Sequence, residues 1–458
     1  MARLACFKSY DVRGQVPRDL DPAMARRIGL AYAAVVQPAG PVAVGRDIRE
    51  SSLDLAAALI EGLNAGGVAT RELGLCGTEM VYHAAAQEGM GGGIMVTASH
   101  NPRGDNGLKL VYRDPRDGTV RPVTAEDGLD AMEERVRLGN LPTATAAANQ
   151  PLDLTESYLE QVLSFVRGAN LQPLKVVVNA GNGCAGPVVD RLASRLPFEL
   201  VRVHHEPDGT FPHGVPNPLL PENRAATAEA VVASGADLGV AWDGDFDRCF
   251  LFDHTGGFVE GYYIVGLLAE ALLARVPGGR IVHDPRLYWN TWEVVAQTAG
   301  GTTLKCRTGH ARIKAMMAAW DCLYGGEMSA HHYFRDFHYC DSGMVPWLLV
   351  AALMSETGRS LRELVGERID RFPCSGEINR EVADPASAFR RLLDHYAGEH
   401  PQADFFDGLS MTFATWRLNL RSSDTQPELL RLNIETRADR ALLERRTAEV
   451  LELLEAEL

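Results

Sequence analysis

The 458-residue chain reads as an α/β protein: three α/β layers with mixed, mainly parallel sheets, followed by a C-terminal α+β domain. Three observations carry that reading. Short apolar runs such as Val42-Ala43-Val44, Val176-Val177-Val178 and Leu238-Gly239-Val240-Ala241-Trp242 alternate with stretches of helical period, the pattern of strands covered by crossover helices. The length is too great for one core, and a prior of about 150 residues per domain gives roughly three. The alternation is also interrupted, at the small, proline-flanked run NLPTATAAANQP (140–151) and at Pro373, beyond which closely spaced strands take over. Boundaries follow at 1–147, 148–253, 254–372 and 373–458.

Composition excludes several classes of function. With 46% hydrophobic and 23% charged residues the chain is ordinary globular protein,. A formal net charge of -15 excludes nucleic acid and anionic membrane as partners, since both require basic faces. A phosphorylated small molecule would have to be met by local clusters of Arg and Lys. The N-terminal stretch MARLACFKSYDVRG has no apolar core of a secretory signal, and no run approaches a membrane span,; cytoplasmic residence is the expectation. The eight cysteines are scattered, without CxxC pairs, and read as reduced structural thiols.

In the first domain, Phe7 to Gly14 precedes a helix that opens at Asp21-Pro22,. A strand at Val42 to Val44, a helix through Leu55, Leu59 and Leu63, a strand at Val68 and a helix from Thr78 to Ala86 lead to the stretch Gly91 to Lys109. There Ile94-Met95-Val96 is a buried strand, and the chain breaks at Thr97-Ala98-Ser99-His100-Asn101-Pro102. Asn101-Pro102 and Gly104-Asp105-Asn106-Gly107 are turn signals. Ser99 is thereby presented at the carboxyl end of a strand, where α/β folds place ligands, as a nucleophile or phosphate carrier.

In the second domain Asp153 with Glu156 has the form of a capping box, and the strand Lys175 to Asn179 runs into Gly181-Asn182-Gly183-Cys184-Ala185-Gly186. This is a formal GxGxxG, but no acidic residue closes a second strand at the dinucleotide-binding spacing of about 20 residues. It reads as a close strand-to-helix turn. A helix over 222–233 leads to the strand 238–242, which ends in Asp243-Gly244-Asp245-Phe246-Asp247-Arg248. Three carboxylates at alternate positions repel unless a cation offsets them, and hard divalent metals take oxygen ligands, so Mg²⁺ is the natural candidate. A calcium EF-hand is excluded by Arg248 and His254 at its sixth and twelfth positions,.

The third domain repeats the alternation from Tyr262 to Trp320, with polar clusters at Asp284-Pro285-Arg286-Leu287, Arg307-Thr308-Gly309-His310 and GEMSAHHYF (326–334). Glu327 and Ser329 suit the reading of vicinal hydroxyls. After Pro373 come strands at 375–382, 409–413, 416–420 and 429–435, a helix through Leu392 and a final amphipathic helix from Leu442. Between two of these strands lies Arg421-Ser422-Ser423-Asp424-Thr425-Gln426-Pro427, whose guanidinium, hydroxyls and turn amides make a phosphate clasp.

Five motifs in this order, YDVRG, TASHNP with NGLK, DGDFDR, GEMSAHHYF and RSSDTQP, resemble those of the α-D-phosphohexomutases in the phosphomannomutase form, over essentially the whole chain. The resemblance implies four domains around a central cleft, three of them similar. It implies a phosphoserine at Ser99, Mg²⁺ held there and by Asp243, Asp245 and Asp247, and a phosphorylated hexose interconverted between 6- and 1-phosphate through a hexose 1,6-bisphosphate. It further implies that Tyr10, Arg286, Glu327, Ser329, His331, Arg421, Ser423 and Thr425 bind substrate and that His100 and Arg248 position the phosphoserine and metal loop. Lys109 and Arg13, with His310 behind them, are the candidates for proton transfer. The chain departs from the family at Asp424, where an amide is common; a carboxylate there would repel phosphate and contributes only turn geometry. Two alternatives accompany this reading: a dual phosphomannomutase/phosphoglucomutase, and a dehalogenase-type phosphotransferase using Asp243, whose DxDx[TV] pattern is broken by Asp247. A non-catalytic sugar-phosphate sensor is disfavoured by the intact serine and aspartates.

Overall fold

A computed structural model describes residues 3–298, 300–422 and 428–455. One strand order occurs three times. In the first domain the sheet runs Val12–Gln15, Asp105–Arg113, Gly92–Val96, Val42–Arg46, Thr70–Leu75. The second runs Phe258–Val259, Cys249–Asp253, Leu238–Trp242, Lys175–Asn179, Glu199–Val203, and the third Cys340–Asp341, His332–Phe334, Tyr324–Gly326, Arg280–His283, Thr302–Lys305. Each sheet is parallel on the side of its last two strands and antiparallel on the other. The antiparallel half is larger than helix alternation alone suggests, because the central strand of every domain returns directly as a hairpin. Those three hairpin tips are the Ser99 loop, the Asp243–Asp247 loop and the Glu327–His331 loop.

The helices form where the sequence supplies their ends. Asp21 caps Pro22–Val36 by accepting from Met24 N at 2.7 Å, with proline in the first turn,. Ser360 and Glu363 complete a capping box on Leu361–Arg371,. The box expected at Asp153 and Glu156 does not form. The helix begins later, at Thr155, whose amide bonds the Asp153 carboxylate at 2.9 Å, while Glu156 turns outward to pair with Arg195. The segment read as a linker ends in a short strand, Asn149–Pro151, added in parallel to the edge of the first sheet. The GxGxxG stretch is the close turn expected of it: a Cβ on Gly186 would fall 2.1 Å from His205 O, and Cys184 N bonds Gly244 O under the acidic loop,.

The fourth domain is an antiparallel sheet in the order Ile378–Glu381, Leu429–Thr436, Trp416–Ser422, Leu409–Thr412, Gln402–Asp404. Its apolar core, built on Leu418, Leu420, Leu432, Ile434 and Tyr396, is its own, whereas one continuous core runs from Cys76 and Met95 through Trp242 and Trp347 to Phe372 and joins the first three domains. A polar contact holds the fourth domain to the third. Arg417 and Glu435, both fully buried, pair at 2.9 Å; Arg417 donates to the carbonyls of Pro285 and Arg286, and Glu435 accepts from Tyr288 N. Among the described residues no helix is long and apolar enough to cross a membrane.

Glu79, in the first turn of Thr78–Ala86, joins three domains behind the hairpin tips. It is buried, accepts from Gly343 N at 2.7 Å in the third domain and from the Tyr158 hydroxyl in the second, and burial pushes its carboxyl up to about 8. The folded state thus holds a proton that the unfolded chain releases near pH 4.3. Stability from this group is present below that value and is lost as pH rises toward about 8,. Urea unfolding of the parent and of Glu79→Gln from pH 5 to 8 is expected to show a steeper decline with pH in the parent. Parallel curves would refute the linkage.

Candidate active site

The first tip is held rigidly before any ligand arrives. Gly92–Val96 and Asp105–Arg113 pair with Met95 opposite Lys109, so Ser99 lies at the end of the hairpin with φ of 52°, a left-handed conformation uncommon for serine. Its amide donates to Thr97 Oγ1 at 2.8 Å. The carbonyls of the loop converge on one side chain: Arg49 donates to those of Ser99, Asn101, Pro102 and Asp105 at 2.9, 2.6, 2.8 and 2.9 Å. Asp47 beside it accepts from Thr97 Oγ1 at 2.7 Å. Sequence reasoning missed Arg49, which stands 50 residues before the loop it organises. The available signal was a charged pair directly after an apolar strand, at the carboxyl edge of a sheet.

Ser99 Oγ donates to Asp243 Oδ2 at 2.6 Å and lies 3.0 Å from His100 Nδ1. Arg248 donates from Nε to the same carboxylate oxygen at 2.8 Å and from Nη2 to His100. Burial, with Arg248, Arg13 and Lys109 close by, holds the His100 pKa well below the usual range, so the ring is neutral and accepts at Nδ1. The second and first domains meet here through Thr78, whose amide and hydroxyl both bond Asp245.

Asp243, Asp245 and Asp247 are buried, with ligand oxygens all within 4.8 Å of one another. The ammonium of Lys109 bonds Asp245 Oδ2 at 2.6 Å and Asp247 Oδ2. Burial pushes the Asp245 carboxyl up but the Lys109 charge outweighs it, leaving it lowered to about 2. Burial and the Asp245 charge raise Asp247. The two carboxylates in turn outweigh burial and hold Lys109 protonated, so it neutralises the cluster and is ill suited to accept a proton. Among the described residues, Asp245 Oδ1 and Asp247 Oδ1 remain buried without a hydrogen-bond partner. Two orphaned carboxylate oxygens beside Ser99, in an all-oxygen donor set, fit a hard cation such as Mg²⁺.

The third tip supplies Glu327, whose carboxylate accepts from Tyr333 at 2.7 Å and from Gly309 N at 3.2 Å. Arg286 is buried and pairs with Asp284 at 2.7 Å, Glu377 at 3.2 Å and Glu327 at 3.4 Å, and reaches Ser329 Oγ at 3.3 Å. His331 stands between the second and third tips. Its Nδ1 is 2.9 Å from Asp341 and 3.9 Å from Asp247, and these carboxylates raise its pKa against burial. His310 packs edge-on to Tyr10 at 5.0 Å; both its ring nitrogens are buried without hydrogen-bond partners among the described residues, and burial with Lys314 nearby keeps it neutral. Arg13 is tied to Asp11 at 2.7 Å and to Asn101 at 2.9 Å.

From the fourth domain, Arg421 and Arg431 sit opposite each other on neighbouring strands, with Asn379 opposite Arg431 on the next. Ser423, Asp424 and Thr425 lie outside the described residues. All four domains line one cleft of about 310 Å³, whose walls carry six Arg and Lys side chains: Lys8, Arg13, Arg248, Arg286, Arg421 and Arg431. Local basic clustering inside an acidic protein is what a phosphorylated ligand requires. Tyr10, His100, His310, Glu327, Ser329 and His331 line the same space, while Ser99 and Asp243 lie buried behind it, in contact with the cleft residues His100 and Arg248.

Three domain profiles match the chain in order: phosphoglucomutase/phosphomannomutase alpha/beta/alpha domain I over residues 5–122, domain II over 156–257 and domain III over 260–372. A protein of Xanthomonas campestris pv. campestris named "Phosphohexose mutases" is 56% identical over 453 residues, 98% of this chain and 99% of its own. A phosphomannomutase of Salmonella montevideo is 52% identical over 462 residues, 99% of this chain and 100% of its own. A crystal structure of a phosphoglucomutase/phosphomannomutase family protein from Burkholderia thailandensis superposes with a TM-score of 0.85 at 30% identity, covering 99% of this chain and 98% of that one. A four-domain cleft with this strand order, and this similarity along its whole length, define a phosphosugar isomerase: the chain belongs to the α-D-phosphohexomutase family. Within it, relatives at about half identity are phosphomannomutases. The dehalogenase alternative falls with that membership.

Proposed function

We propose that the protein interconverts mannose 6-phosphate and mannose 1-phosphate through phosphate carried on Ser99. The single observation that supports this reading most is Ser99 Oγ at 2.6 Å from Asp243 and 3.0 Å from His100, which lines a cleft bounded by four domains. The free hydroxyl of the sugar attacks phosphorus, the bond to Ser99 Oγ breaks, and a 1,6-bisphosphate results. After this intermediate turns over, its other phosphate returns to Ser99. Mg²⁺, held by Asp243, Asp245, Asp247 and a phosphate oxygen on Ser99, would neutralise charge on the transferring group and the departing serine oxygen. Lys109 and Arg248 fix the aspartates, and His100 fixes Ser99. His310, neutral and lining the cleft, takes the proton of the attacking hydroxyl while Ser99 Oγ takes one up as it leaves; Lys109, Arg13 and His331 are favoured in their charged forms by the carboxylates beside them and are poorly suited to this task,. Glu327 and Ser329 hold sugar hydroxyls. Arg421, with Ser423 and Thr425, clasps the unreactive phosphate.

The test is the rate of isomerisation of mannose and glucose phosphates with 1,6-bisphosphate added, together with mass spectrometry of the phosphoenzyme. Faster turnover of the mannose pair and phosphate on Ser99 are expected. A label on Asp243, or no isomerisation of either sugar, would overturn the reading.

Arg421 lies on a domain whose core is separate from the rest, so phosphate bound there can draw that domain over the cleft. A charge-assisted bidentate pair contributes about 1.5 to 3 kcal/mol. Arg421→Ala is therefore expected to raise KM for both sugar phosphates by about one to two powers of ten while Ser99 still carries phosphate. Small-angle scattering is expected to show contraction with a bisphosphate analogue in the parent and not in the variant. Unchanged KM contradicts the clasp, and identical profiles of free and bound parent contradict the closure.

A further inference from the structure

Arg13, Arg248 and Arg286 pair with carboxylates, whereas several neutral side chains of the cleft lack hydrogen-bond partners among the described residues: Thr308 and His310 in the third domain, and one asparagine from each of the second and fourth. Among the described residues neither Asn217 Oδ1 nor Asn379 Oδ1, both buried, has a hydrogen-bond partner, and both residues line the cleft. An orphaned buried carbonyl is costly and rare unless something else fills the role of donor.

Neither asparagine is there to satisfy its own backbone. The loop carrying Asn217 is held by other groups: the Asn217 carbonyl accepts from Leu220 N at 3.0 Å and Asn223 Nδ2 at 3.2 Å, and Arg224 donates to the carbonyls of Pro218 and Leu219 at 2.9 and 2.6 Å. Pro216 before it seats on Gly181, where a Cβ would come within 2.3 Å. The side-chain amide is thus presented from a fixed backbone. Asn379 is fixed by the sheet, opposite Arg431, which is itself opposite Arg421. Strands about 4.8 Å apart set its Cα roughly 10 Å from that of Arg421, on the same sheet as the proposed phosphate clasp.

A carbonyl oxygen repels phosphate and accepts from a hydroxyl, whereas the amide nitrogen can donate in return. We propose that Asn217 and Asn379 are sugar-hydroxyl contacts, through which the second and fourth domains read the hexose while the arginines hold its phosphate. Together with Glu327 and Ser329 they surround the ring from three domains, so a sugar turned end for end meets neutral hydrogen-bonding groups in both orientations. This assignment rests on the phosphohexomutase reading and deepens it.

The experiment compares two probes, mannose 6-phosphate and inorganic phosphate, by calorimetric titration against the full chain and its Asn217→Ala and Asn379→Ala variants. Each variant is expected to bind the hexose phosphate about five- to tenfold more weakly, the worth of one neutral hydrogen bond, with affinity for inorganic phosphate unchanged. Thermal unfolding at the parental temperature accompanies that result. Equal losses for both probes indicate damage to the cleft and overturn the assignment, as does parental affinity for the hexose phosphate. A parent that binds inorganic phosphate and not the hexose phosphate instead overturns the phosphohexomutase reading on which the assignment stands.

Discussion

Ser99→Ala is expected to lower kcat/KM for mannose phosphate by about a thousandfold or more, because the variant has no oxygen to receive the phosphoryl group. The loss is separable from misfolding. The loop is gripped by Arg49 at its carbonyls and by Asp47 at the Thr97 hydroxyl, while the Ser99 hydroxyl bonds Asp243 and lies beside His100, so its removal leaves the loop's anchors in place. Affinity for a 1,6-bisphosphate, measured by titration, is expected to stay within a few-fold of the parent. Parental turnover in the variant would refute the carrier role outright. A variant that loses bisphosphate affinity as completely as turnover would assign Ser99 to binding.

Asp245→Asn is expected to have the next largest effect. The substitution keeps the shape and the bond from Thr78 but removes one of the charges that face both Lys109 and the proposed cation. Electrostatic stabilisation at a developing alkoxide is worth several kcal/mol, so kcat is expected to fall about a hundredfold or more and the Mg²⁺ concentration for half-activation to rise, with a smaller change in KM. Steady-state rates over a Mg²⁺ titration, starting from chelator-treated protein, measure all three. Full parental activity in excess chelator would contradict a metal-assisted transfer, and an Asn variant with parental Mg²⁺ dependence would exclude Asp245 as a ligand.

What the sequence discloses about this protein is what local chemistry determines. Asp21-Pro22 starts a helix because capping and proline act within one turn,. The Ser99 and Asp243 loops can be found because an apolar strand ending in turn residues puts polar groups at a sheet edge. Partners distant in sequence are another matter. That Lys109 follows the serine loop is plain, yet its bonds to Asp245 and Asp247 depend on how two domains dock. Arg49 is hidden for the same reason, its carbonyl acceptors lying 50 to 56 residues further on. At Asp153 the motif was present and failed, since Glu156 found a better partner in Arg195.

The strand order repeated in three domains has a consequence for how freely the rest of the chain can vary. Each functional tip is suspended between two strand ends, and a prop just beyond the end of the adjoining strand steadies it: Asp47 and Arg49 in the first domain, the Cys184 amide under Gly244 in the second, Asp284 accepting from Met328 N in the third. The coordinates of the site are carried by those strand ends and props, together with the first turn of the helix Thr78–Ala86, where Thr78 bonds Asp245 and Glu79 ties the domains. Helices whose residues touch none of the tips add thickness without adding a reference point. Residues can be gained, lost or exchanged there while the three tips keep their spacing, so the covering layer is where this architecture absorbs change.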